Sequence, residues 1–398
     1  MLAISILLGV AATLMWLPTL SDLVSLTRAR RAASRDRAEN PQVPKLLFLV
    51  PAHNEELLLA NCLRSLREMR YPAEARTVVV VADNCSDATA SIARECGVRC
   101  LERNDPHNPG KPHAIAWALQ QLPLDEYDCV VIIDADSTVD PGYASGVARI
   151  EELRFKAVQG NNGISNPEEN ALTRMAEVFG TARYQFAYRL KQAAGLCVPL
   201  QGCGMGVGVE VLKRHGWQAF SICEDWEMYA LLTAEGVQTC LAPDARTYAQ
   251  EASSLNQSAS QRRRWTGGKY TVFLQTAPMI LRSRINWHQK LDAIAELVAP
   301  GPVVHLGAAM FLSGTAVLAG LPGSTWLSVA FLGSLVRTGA YTLAALWVDR
   351  QPGKAVLAFS YLPVYAVWRL MIQISSFWMV GTKPWVRTQR HLTGLNGG

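Results

Sequence analysis

Residues 46–56 read Leu-Leu-Phe-Leu-Val-Pro-Ala-His-Asn-Glu-Glu, an apolar run that ends abruptly in polar and acidic residues. The five apolar residues at its start are typical of a strand buried on both faces, because a half-exposed strand would alternate apolar and polar side chains. Residues 57–69 then carry apolar side chains at helical spacing, which predicts an amphipathic helix. A buried strand followed by such a helix predicts one unit of a parallel sheet.

The alternation of strand and helix continues after this unit. Helices are predicted to begin near Ala88 and Pro112, and Asp140-Pro141 predicts a helix N-cap with proline at the first helical position. Strands are also predicted at 77–82, 98–102 and 129–134. The predicted fold is therefore α/β, with a mostly parallel, doubly wound sheet covered by helices on both faces.

Polar residues gather where the predicted strands end. His53-Asn54-Glu55-Glu56 follows the first strand, Asp83-Asn84 the second and Asp134-Ala135-Asp136 the fourth. Ligands of open α/β sheets bind beyond the carboxyl ends of the strands, so these residues predict a nucleotide-sized site at that edge. The dinucleotide fingerprint and the P-loop are excluded, because no G-x-G-x-x-G follows the first strand and the chain has no Walker lysine motif.

The N-terminal segment has the properties of a membrane anchor. Residues 1–21 contain no charged side chain, and a helix needs about 20 residues to cross a bilayer. Arginines follow this run and do not precede it, which favours an uncleaved anchor over a secretory signal peptide. The positive-inside tendency predicts an N-terminus outside the membrane and a cytoplasmic chain from residue 28 onward.

A second membrane region is predicted near the C-terminus. Residues 297–336 contain no Asp, Glu, Lys or Arg, and the turn at 321–324 divides the apolar sequence into spans near 298–320 and 325–348. A third apolar stretch at 355–381 either crosses the bilayer or lies in its interface.

Charged residues also occur beside and within this apolar region. Residues 268–296 mix apolar, basic and Trp side chains, which favours amphipathic helices on the cytoplasmic leaflet, although an ordinary packed surface helix has the same pattern. Arg337 and Arg369 fall within apolar stretches, where an exposed charge costs at least about 2.5 kcal/mol. Each is therefore expected to face protein, water or a lipid phosphate.

The composition narrows the classes of protein to consider. Of the 398 residues, 49% are hydrophobic and 18% are charged, which excludes a disordered or nucleic-acid-coating chain. The net charge of +5 suits a protein beside an anionic bilayer or one that binds an anionic substrate, and it does not require nucleic acid. Nine scattered cysteines without a C-x-x-C pair predict buried thiols and not disulfides or a zinc site.

The polar motifs of residues 45–267 and their order along the chain resemble those of the membrane-integrated inverting glycosyltransferases of family 2. That family has the GT-A fold and includes cellulose, chitin, hyaluronan and poly-N-acetylglucosamine synthases. The resemblance implies the following organisation: a transmembrane anchor at 1–27, a basic linker at 28–44, a GT-A domain at 45–267, interface helices at 268–296, two or three transmembrane helices at 297–381 and a polar tail at 382–398.

Four motif residues are implied to bind the nucleotide-sugar donor. His53 and Glu55 lie in Pro-Ala-His-Asn-Glu-Glu, similar to the family's P-A-Y-N-E-E. Asp83 stands in Val-Val-Ala-Asp, where the family has V-V-D-D, and it would accept a hydrogen bond from the uracil N–H. Lys111, in Gly-Lys-Pro-His-Ala, is similar to the family's G-K-x-x-A and would bring its ammonium to the diphosphate.

Two aspartates are implied to hold a divalent cation. Asp134 and Asp136 alternate at a strand end, where both carboxylates can reach one Mg²⁺ or Mn²⁺ ion that also bridges phosphates. The resemblance makes Asp136 the direct ligand and places Asp134 near the ribose or the metal. Asp140 is interpreted only as a helix cap.

The acid pair Glu224-Asp225 resembles the family's T-E-D motif, with Cys223 at the threonine position. Inversion by direct displacement needs a base for the acceptor hydroxyl, and Asp225 is the predicted base, with Glu224 orienting or balancing the site. The glycine-rich stretch from Gln201 to Gly208 includes Gly202 and Cys203, which the resemblance places near the acceptor. An acidic helix start and a flexible turn are the alternative interpretations of these two motifs.

Residues 261–265, Gln-Arg-Arg-Arg-Trp, match the family's Q-x-x-R-W. The resemblance implies that Arg264 contacts the diphosphate, that Trp265 stacks on the acceptor sugar and that Gln261 lies beside it. A solvated basic face or a membrane anchor is the alternative interpretation of this motif.

The resemblance implies an integral membrane enzyme, with its catalytic domain in the cytoplasm of a bacterial cell, that moves a sugar from a UDP-sugar onto a growing polysaccharide. A single transfer onto a lipid acceptor, as in ceramide or polyprenyl glycosyltransferases, is the alternative. An inactive scaffold of an envelope-polymer export complex is an alternative of a different class. The expected partners are the UDP-sugar, a saccharide or lipid-linked acceptor, membrane lipids and export or polymerisation proteins, and not nucleic acid.

Overall fold

The computed structural model describes residues 1–32 and 43–377. Eight strands form one sheet: β1 Leu46–Ala52, β2 Arg76–Asp83, β3 Arg99–Arg103, β4 Cys129–Ile132, β5 Ser137–Val139, β6 Ala157–Ile164, β7 Met205–Gly208 and β8 Thr239–Ala249. The spatial order is β3-β2-β1-β4-β7-β6-β8-β5. The four predicted strands are thus β1 to β4, which are neighbours in the sheet.

The sheet is parallel in one half and mixed in the other. Strands β3, β2, β1 and β4 are all parallel, as the strand–helix alternation predicts. Beyond β4 the pairs β4–β7, β6–β7 and β5–β8 are antiparallel, whereas β6 and β8 are parallel. The predicted α/β class is confirmed, and the antiparallel pairs are an addition that the sequence pattern does not reveal.

Helices surround this sheet and continue beyond it in both directions along the chain. Their bounds are α1 Leu2–Ala32, α2 Leu59–Arg67, α3 Thr89–Glu95, α4 Lys111–Gln120, α5 Tyr143–Ala148, α6 Ala171–Thr181, α7 Tyr188–Ala193, α8 Val209–His215, α9 Glu224–Ala234, α10 Leu255–Arg282, α11 Trp287–Val298, α12 Pro302–Leu318, α13 Ser324–Gly333, α14 Val336–Trp347, α15 Pro352–Ala358 and α16 Leu362–Phe377. A π-helical turn at 182–187 joins α6 to α7.

Strand β1 lies between two hydrophobic cores. Leu46, Phe48 and Val50 pack in the core that contains α2, whereas Leu47 and Leu49 pack in the core that contains α4. All five side chains are fully buried, and each contributes about 1.5–3 kcal/mol relative to an exposed position. Burial on both faces explains why this strand lacks the alternation of a surface strand, and it fixes the polar residues that follow at one edge of the sheet.

The predicted helix cap at Asp140 is wrong. Helix α5 begins at Tyr143, and its N-cap is Gly142. The Asp140 carboxylate instead accepts a hydrogen bond from the Gly142 backbone N–H at 2.8 Å. The aspartate therefore closes a turn before the helix, which gives the same residue preference as a cap.

Within residues 1–32 and 43–377, three helical segments are long and apolar enough to span a membrane: 2–30, 324–347 and 352–376. The predicted span near 298–320 is shorter, because α12 has 17 residues and bends by 80° from α11. If that bent pair counts as one span, the described part of the chain has four candidates. The predicted stretch at 355–381 continues past the described residues, as do the polar tail and residues 33–42 of the basic linker.

Helix α10 crosses the predicted domain boundary at 267/268. Its 28 residues begin before Gln261 and continue to Arg282, so one continuous helix joins the Gln261–Trp265 motif to the predicted interface segment. Gly268 lets this helix approach the loop before α9 closely, because a Cβ at this position would lie 2.4 Å from the Cys223 sulfur. The segment at 268–296 is therefore the second half of α10 followed by α11.

Replacement of Gly268 by alanine is expected to destabilise the protein despite alanine's higher helix propensity. A methyl group 2.4 Å from the Cys223 sulfur forces α10 away from α9, and overpacking of this kind costs about 1–3 kcal/mol. Thermal unfolding should show a lower Tm than the wild type. The same substitution at Gly339 of α14, where a Cβ has open space, is the control, and an unchanged Tm for Gly268→Ala would contradict the close approach.

A buried ionic network, which we call the interhelix network, connects α1, α7, α11 and α14. Lys191 forms ion pairs with Asp292 and, at 3.1 Å, with Glu296. Arg337 forms an ion pair with Asp22 at 2.6 Å, and its guanidinium lies 3.7 Å from Glu296. Arg337 thus faces protein carboxylates, as a charge in an apolar stretch requires.

Candidate active site

The loops after β1 and β2 are joined at the edge of the sheet. His53 donates a hydrogen bond from Nδ1 to the Asp83 carbonyl at 2.7 Å, and the Asn54 side-chain oxygen accepts from the Ser86 N–H at 2.7 Å. The backbone N–H of Glu55 donates to the Thr89 hydroxyl at 2.8 Å. These bonds place His53 and Glu55 beside the end of β2, where the sequence predicts a nucleotide site.

The Asp83 carboxylate is buried and already engaged within the protein. It accepts hydrogen bonds from the Arg103 guanidinium at 2.6 Å and from the Gly110 N–H at 3.2 Å. Arg103 is absent from the predicted site, although it ends β3 and is the register partner of Asp83. Alignment of the ends of β2 and β3 would have identified this pair. The predicted contact of Asp83 with uracil would have to use the lone pairs that these bonds leave.

Lys111 connects three of the predicted motifs. Its ammonium lies 2.6 Å from an Asp134 carboxylate oxygen and 3.1 Å from a Glu224 oxygen, and it donates to the Gly202 carbonyl at 3.0 Å. Burial alone would lower the pKa of Lys111, but the Asp134 and Glu224 carboxylates raise it above its usual value. The lysine therefore carries a fixed positive charge between β4, α9 and the glycine-rich loop.

Asp134 and Asp136 are both partly exposed at the end of β4. Asp136 accepts a hydrogen bond from the Ser137 hydroxyl at 3.2 Å. Within the described ranges no cluster of three or more His, Cys, Asp or Glu side chains is arranged to hold a metal ion. Mg²⁺ is typically bound by one or two carboxylates together with substrate phosphates, so two alternating aspartates fit a cation that arrives with a diphosphate.

Asp225 lies in the first turn of α9, beside Lys111 and the glycine-rich loop. One of its carboxylate oxygens accepts a hydrogen bond from the Trp226 N–H at 2.8 Å, and the other would lie 3.4 Å from a Cβ at Gly202. Gly202 has φ +76°, a conformation that favours glycine, and its small size leaves room at the carboxylate. Burial, followed by repulsion from Glu224, raises the pKa of Asp225 to about 7.

The raised pKa of Asp225 predicts a pH dependence for any reaction in which this carboxylate is the base. A base must be deprotonated to act, so the rate should rise with pH and level off above an apparent pKa near 7. An unperturbed aspartate would give a rate already independent of pH above 5. Initial rates at saturating substrate from pH 5 to 9 would check this, and a flat profile between 5.5 and 8 would contradict it.

The Gln261–Trp265 motif packs against the loop before α9. The Cys223 thiol donates to the Trp265 carbonyl at 3.6 Å, and Arg264 lies close enough to interact electrostatically with Cys223. The Trp265 side chain is 43% exposed, and the Arg262 guanidinium lies 5.2 Å from its ring centroid. Gln261 and Arg264 are partly buried on the same helix.

Cys203 is predicted to lie near the acceptor, and the structure places its thiol in the core under the site. Cys203 packs there with Val131 and Tyr143, and burial raises the pKa of its thiol to about 12. Its carbonyl accepts hydrogen bonds from Gln159 at 3.0 Å and Asn162 at 3.1 Å, which hold the glycine-rich loop in place. Gly202 is the loop residue next to Lys111 and Asp225.

Two basic residues near the site are absent from the predicted set. Arg183, in the π-helical turn, donates to the Gln201 side chain at 3.2 Å. The Lys269 ammonium lies 4.1 Å from the Trp226 ring centroid, and burial lowers the pKa of this lysine to about 8. The sequence signal for Lys269 is its position one helical turn after Trp265 on α10.

Comparison with known proteins agrees with this geometry. Residues 44–268, more than half of the chain, match the family model described as "Glycosyltransferase like family 2". A mannosyltransferase from Pyrobaculum calidifontis, solved in complex with GDP-Man and Mn²⁺, has a similar fold, with a TM-score of 0.59, 18% identity and coverage of 94% of this chain and 98% of that one. This likeness extends the shared fold beyond the matched domain.

Curated relatives carry glycosyltransferase names. A beta-monoglucosyldiacylglycerol synthase from Trichormus variabilis is 27% identical over 63% of this chain and 54% of its own length. An N-acetylglucosaminyltransferase from Rhizobium leguminosarum is 25% identical over 76% of this chain and 72% of its own. The chain spans little more than half the length of the first curated relatives that it matches. With the match over residues 44–268, the resemblance seen in the motifs is confirmed, and the chain belongs to the family 2 glycosyltransferases.

Proposed function

We propose that the protein transfers a sugar, with inversion, from a UDP-sugar to a hydroxyl of a growing polysaccharide at the membrane surface. The observation that carries this proposal is the contact of Lys111 with both Asp134 and Glu224, beside Asp225. This contact supports the proposal because the Lys111 ammonium would bind a diphosphate, Asp134 would bind a metal, and Asp225 has the raised pKa of a base. All three groups lie at one edge of the sheet. Family membership supplies the reaction class.

In the proposed reaction Asp225 accepts the proton of the acceptor hydroxyl while that oxygen attacks the anomeric carbon. The bond between this carbon and the diphosphate oxygen breaks in the same step, and UDP departs with the bonding electrons. Lys111 and Arg264 stabilise the negative charge that develops on the diphosphate. Burial of Asp225, followed by repulsion from Glu224, raises the pKa of this carboxyl into the range that suits a base near neutral pH.

Asp134 and Asp136 would hold a divalent cation, Mg²⁺ or Mn²⁺, together with the donor phosphates. When bound, such a cation neutralises charge on the departing diphosphate. Lys111 forms an ion pair with Asp134, and its ammonium would also contact the diphosphate when the donor binds.

The proposed transfer has two candidate acceptor classes, a saccharide and a lipid. The beta-monoglucosyldiacylglycerol synthase supports a single transfer to a lipid hydroxyl, whereas the name of the N-acetylglucosaminyltransferase gives only the sugar that it transfers. The exposed Trp265 suits the saccharide, because an indole face packs on the C–H face of a pyranose. Its position on α10, which leads into the interface segment, also gives a membrane lipid access, so the lipid acceptor is the second candidate.

The candidate spans support a location in a membrane. We propose that this is a bacterial inner membrane, with the N-terminus outside and the catalytic domain in the cytoplasm. Export or polymerisation proteins would be the partners for a polymer product. Cysteine labelling from either side of sealed vesicles, with single cysteines introduced at Ser5 and at Arg149, would test this orientation.

The decisive experiment is incubation of the purified full chain in lipid with Mn²⁺ or Mg²⁺ and a panel of radiolabelled UDP-sugars. We expect one donor to give a product with saccharide or lipid acceptors, and product mass to distinguish a polymer from a single transfer. Asp225→Asn is the matched control. If no donor is transferred or hydrolysed, with wild type and variant alike, the result would favour an inactive scaffold of an export complex over a transferase.

Replacement of Trp265 by alanine is expected to weaken use of the acceptor more than hydrolysis of the donor. Loss of one stacked ring costs about 0.5–1.5 kcal/mol, so the acceptor KM should rise roughly two- to tenfold. Transfer and donor hydrolysis are measured in parallel, with Trp287→Ala as a control at a more exposed indole outside the predicted site. A larger loss of hydrolysis than of transfer would contradict stacking on the acceptor.

A further inference from the structure

A second cluster of arginines lies beside Trp265, where α10 meets the last candidate span. Arg262 of α10 forms an ion pair with Glu251, and their side chains are 20% and 22% exposed. Arg369 of α16 interacts electrostatically with both of these groups. Two guanidinium groups therefore share one carboxylate, which leaves a surplus of one positive charge in a largely buried place.

Both guanidinium groups also have buried N–H groups that are not satisfied. Arg262 Nε and Arg369 Nη1 are inaccessible and lack a hydrogen-bond partner among the described residues. A buried donor without an acceptor destabilises the protein, and more strongly so when the group is charged. An anion with several acceptor oxygens would satisfy both groups and cancel the excess charge.

The position of Arg369 indicates where such an anion comes from. The residue lies within the candidate span 352–376, and one of its nitrogens is 4.0 Å from the place of a Cβ at Gly301, the N-cap of α12. Arg262 stacks on the Trp265 ring from the same helix that carries the acceptor motif. The two arginines thus connect a candidate membrane span with the helix that carries Trp265.

We propose that Arg262 and Arg369 bind the phosphate of an anionic membrane lipid next to the Trp265 platform. This site is separate from the donor site, because Lys111 and Asp225 face the glycine-rich loop whereas Arg369 faces Glu251 and Tyr365. Lipid binding here does not require that the chain transfers sugar. It would hold the membrane surface at a fixed distance from the acceptor platform.

The test is lipid binding by the purified full chain, measured by native mass spectrometry in detergent with phosphatidylglycerol or phosphatidylcholine added. We expect Arg369→Gln to weaken retention of phosphatidylglycerol about tenfold, because a charged hydrogen bond contributes roughly 1.5–3 kcal/mol. Arg263→Gln removes the same charge from an exposed position of α10 and should change retention less than twofold. Phosphatidylcholine, with no net charge, should be retained equally by all variants.

Glu251→Gln is expected to change phosphatidylglycerol retention in the opposite direction to Arg369→Gln. It removes the carboxylate that competes for both arginines, so phosphatidylglycerol should bind more tightly, whereas a purely structural role of the cluster would give only lower stability.

The proposal is overturned if Arg369→Gln and Arg263→Gln weaken lipid retention equally, or if Glu251→Gln weakens it. Full displacement of the lipid by millimolar inorganic phosphate would show a site for free phosphate. Loss of UDP affinity in Arg369→Gln would show that the arginine belongs to the donor site. A failure of sugar transfer in the wild type leaves these binding results unaffected, so the two proposals fail separately.

Discussion

Asp225→Asn is expected to reduce the rate of sugar transfer by about 10²–10⁴-fold, the usual contribution of a positioned general base. Asparagine has nearly the same shape as aspartate, and its side-chain oxygen can keep the hydrogen bond from the Trp226 N–H. It cannot accept the acceptor proton at neutral pH. Single-turnover transfer and UDP binding by calorimetry should separate the two effects, with kcat falling and the Kd for UDP nearly unchanged.

The control for this variant is Glu224→Gln. It removes the adjacent negative charge and should lower the pKa of Asp225, so the pH profile should shift to lower pH while transfer persists. If Asp225→Asn loses UDP affinity while Glu224→Gln loses transfer, the roles of the two carboxylates are exchanged.

Lys111→Met is expected to weaken donor binding by about 10–100-fold. The variant removes the ammonium that would contact the diphosphate, and charged hydrogen bonds contribute roughly 1.5–3 kcal/mol each. It also leaves Asp134 and Glu224 without their shared cation, so their mutual repulsion should increase. The donor KM and the Kd for UDP are the measurements.

Lys111→Arg is the matched control because it keeps the charge while changing its shape. Donor binding should recover in part, since a guanidinium is longer than an ammonium and does not fit the contact with the Gly202 carbonyl in the same way. A donor KM equal to that of the wild type in Lys111→Met, with only a lower Tm, would assign the lysine to stability alone.

The parallel half of the fold could be predicted from the sequence because strands and helices alternate there over short stretches of the chain. Strands β1 and β4 are apolar and mostly buried, whereas the edge strand β3 contains Arg99 and Glu102 and is partly exposed. The helices between these strands begin within a few residues of their predicted starts. The antiparallel half could not be predicted in the same way. Strand β7 contains two glycines in four residues, and β5 has only three residues, so neither has a strand-like pattern of its own.

The sequence motifs predicted which side chains line the candidate site. Lys111, Asp134, Glu224 and Asp225 do come together, although their separation of up to 114 positions along the chain hides this from any local pattern. The partners that restrict the motif residues were missed. Arg103 engages Asp83 through strand pairing, and pairing between strands depends on the three-dimensional order of the sheet.

The interhelix network has a practical consequence for work with shortened proteins. Lys191 is 1% exposed and lies inside the family-matched residues 44–268, whereas its partners Asp292 and Glu296 lie outside them. A fragment cut at residue 268 would lack both counter-charges of Lys191, and it would also lose Ala293 and Leu297, which pack in one hydrophobic cluster with Cys223 and Ala230. Inactivity of such a fragment would therefore not show that the catalytic groups are absent, and expression trials should extend at least through Val298.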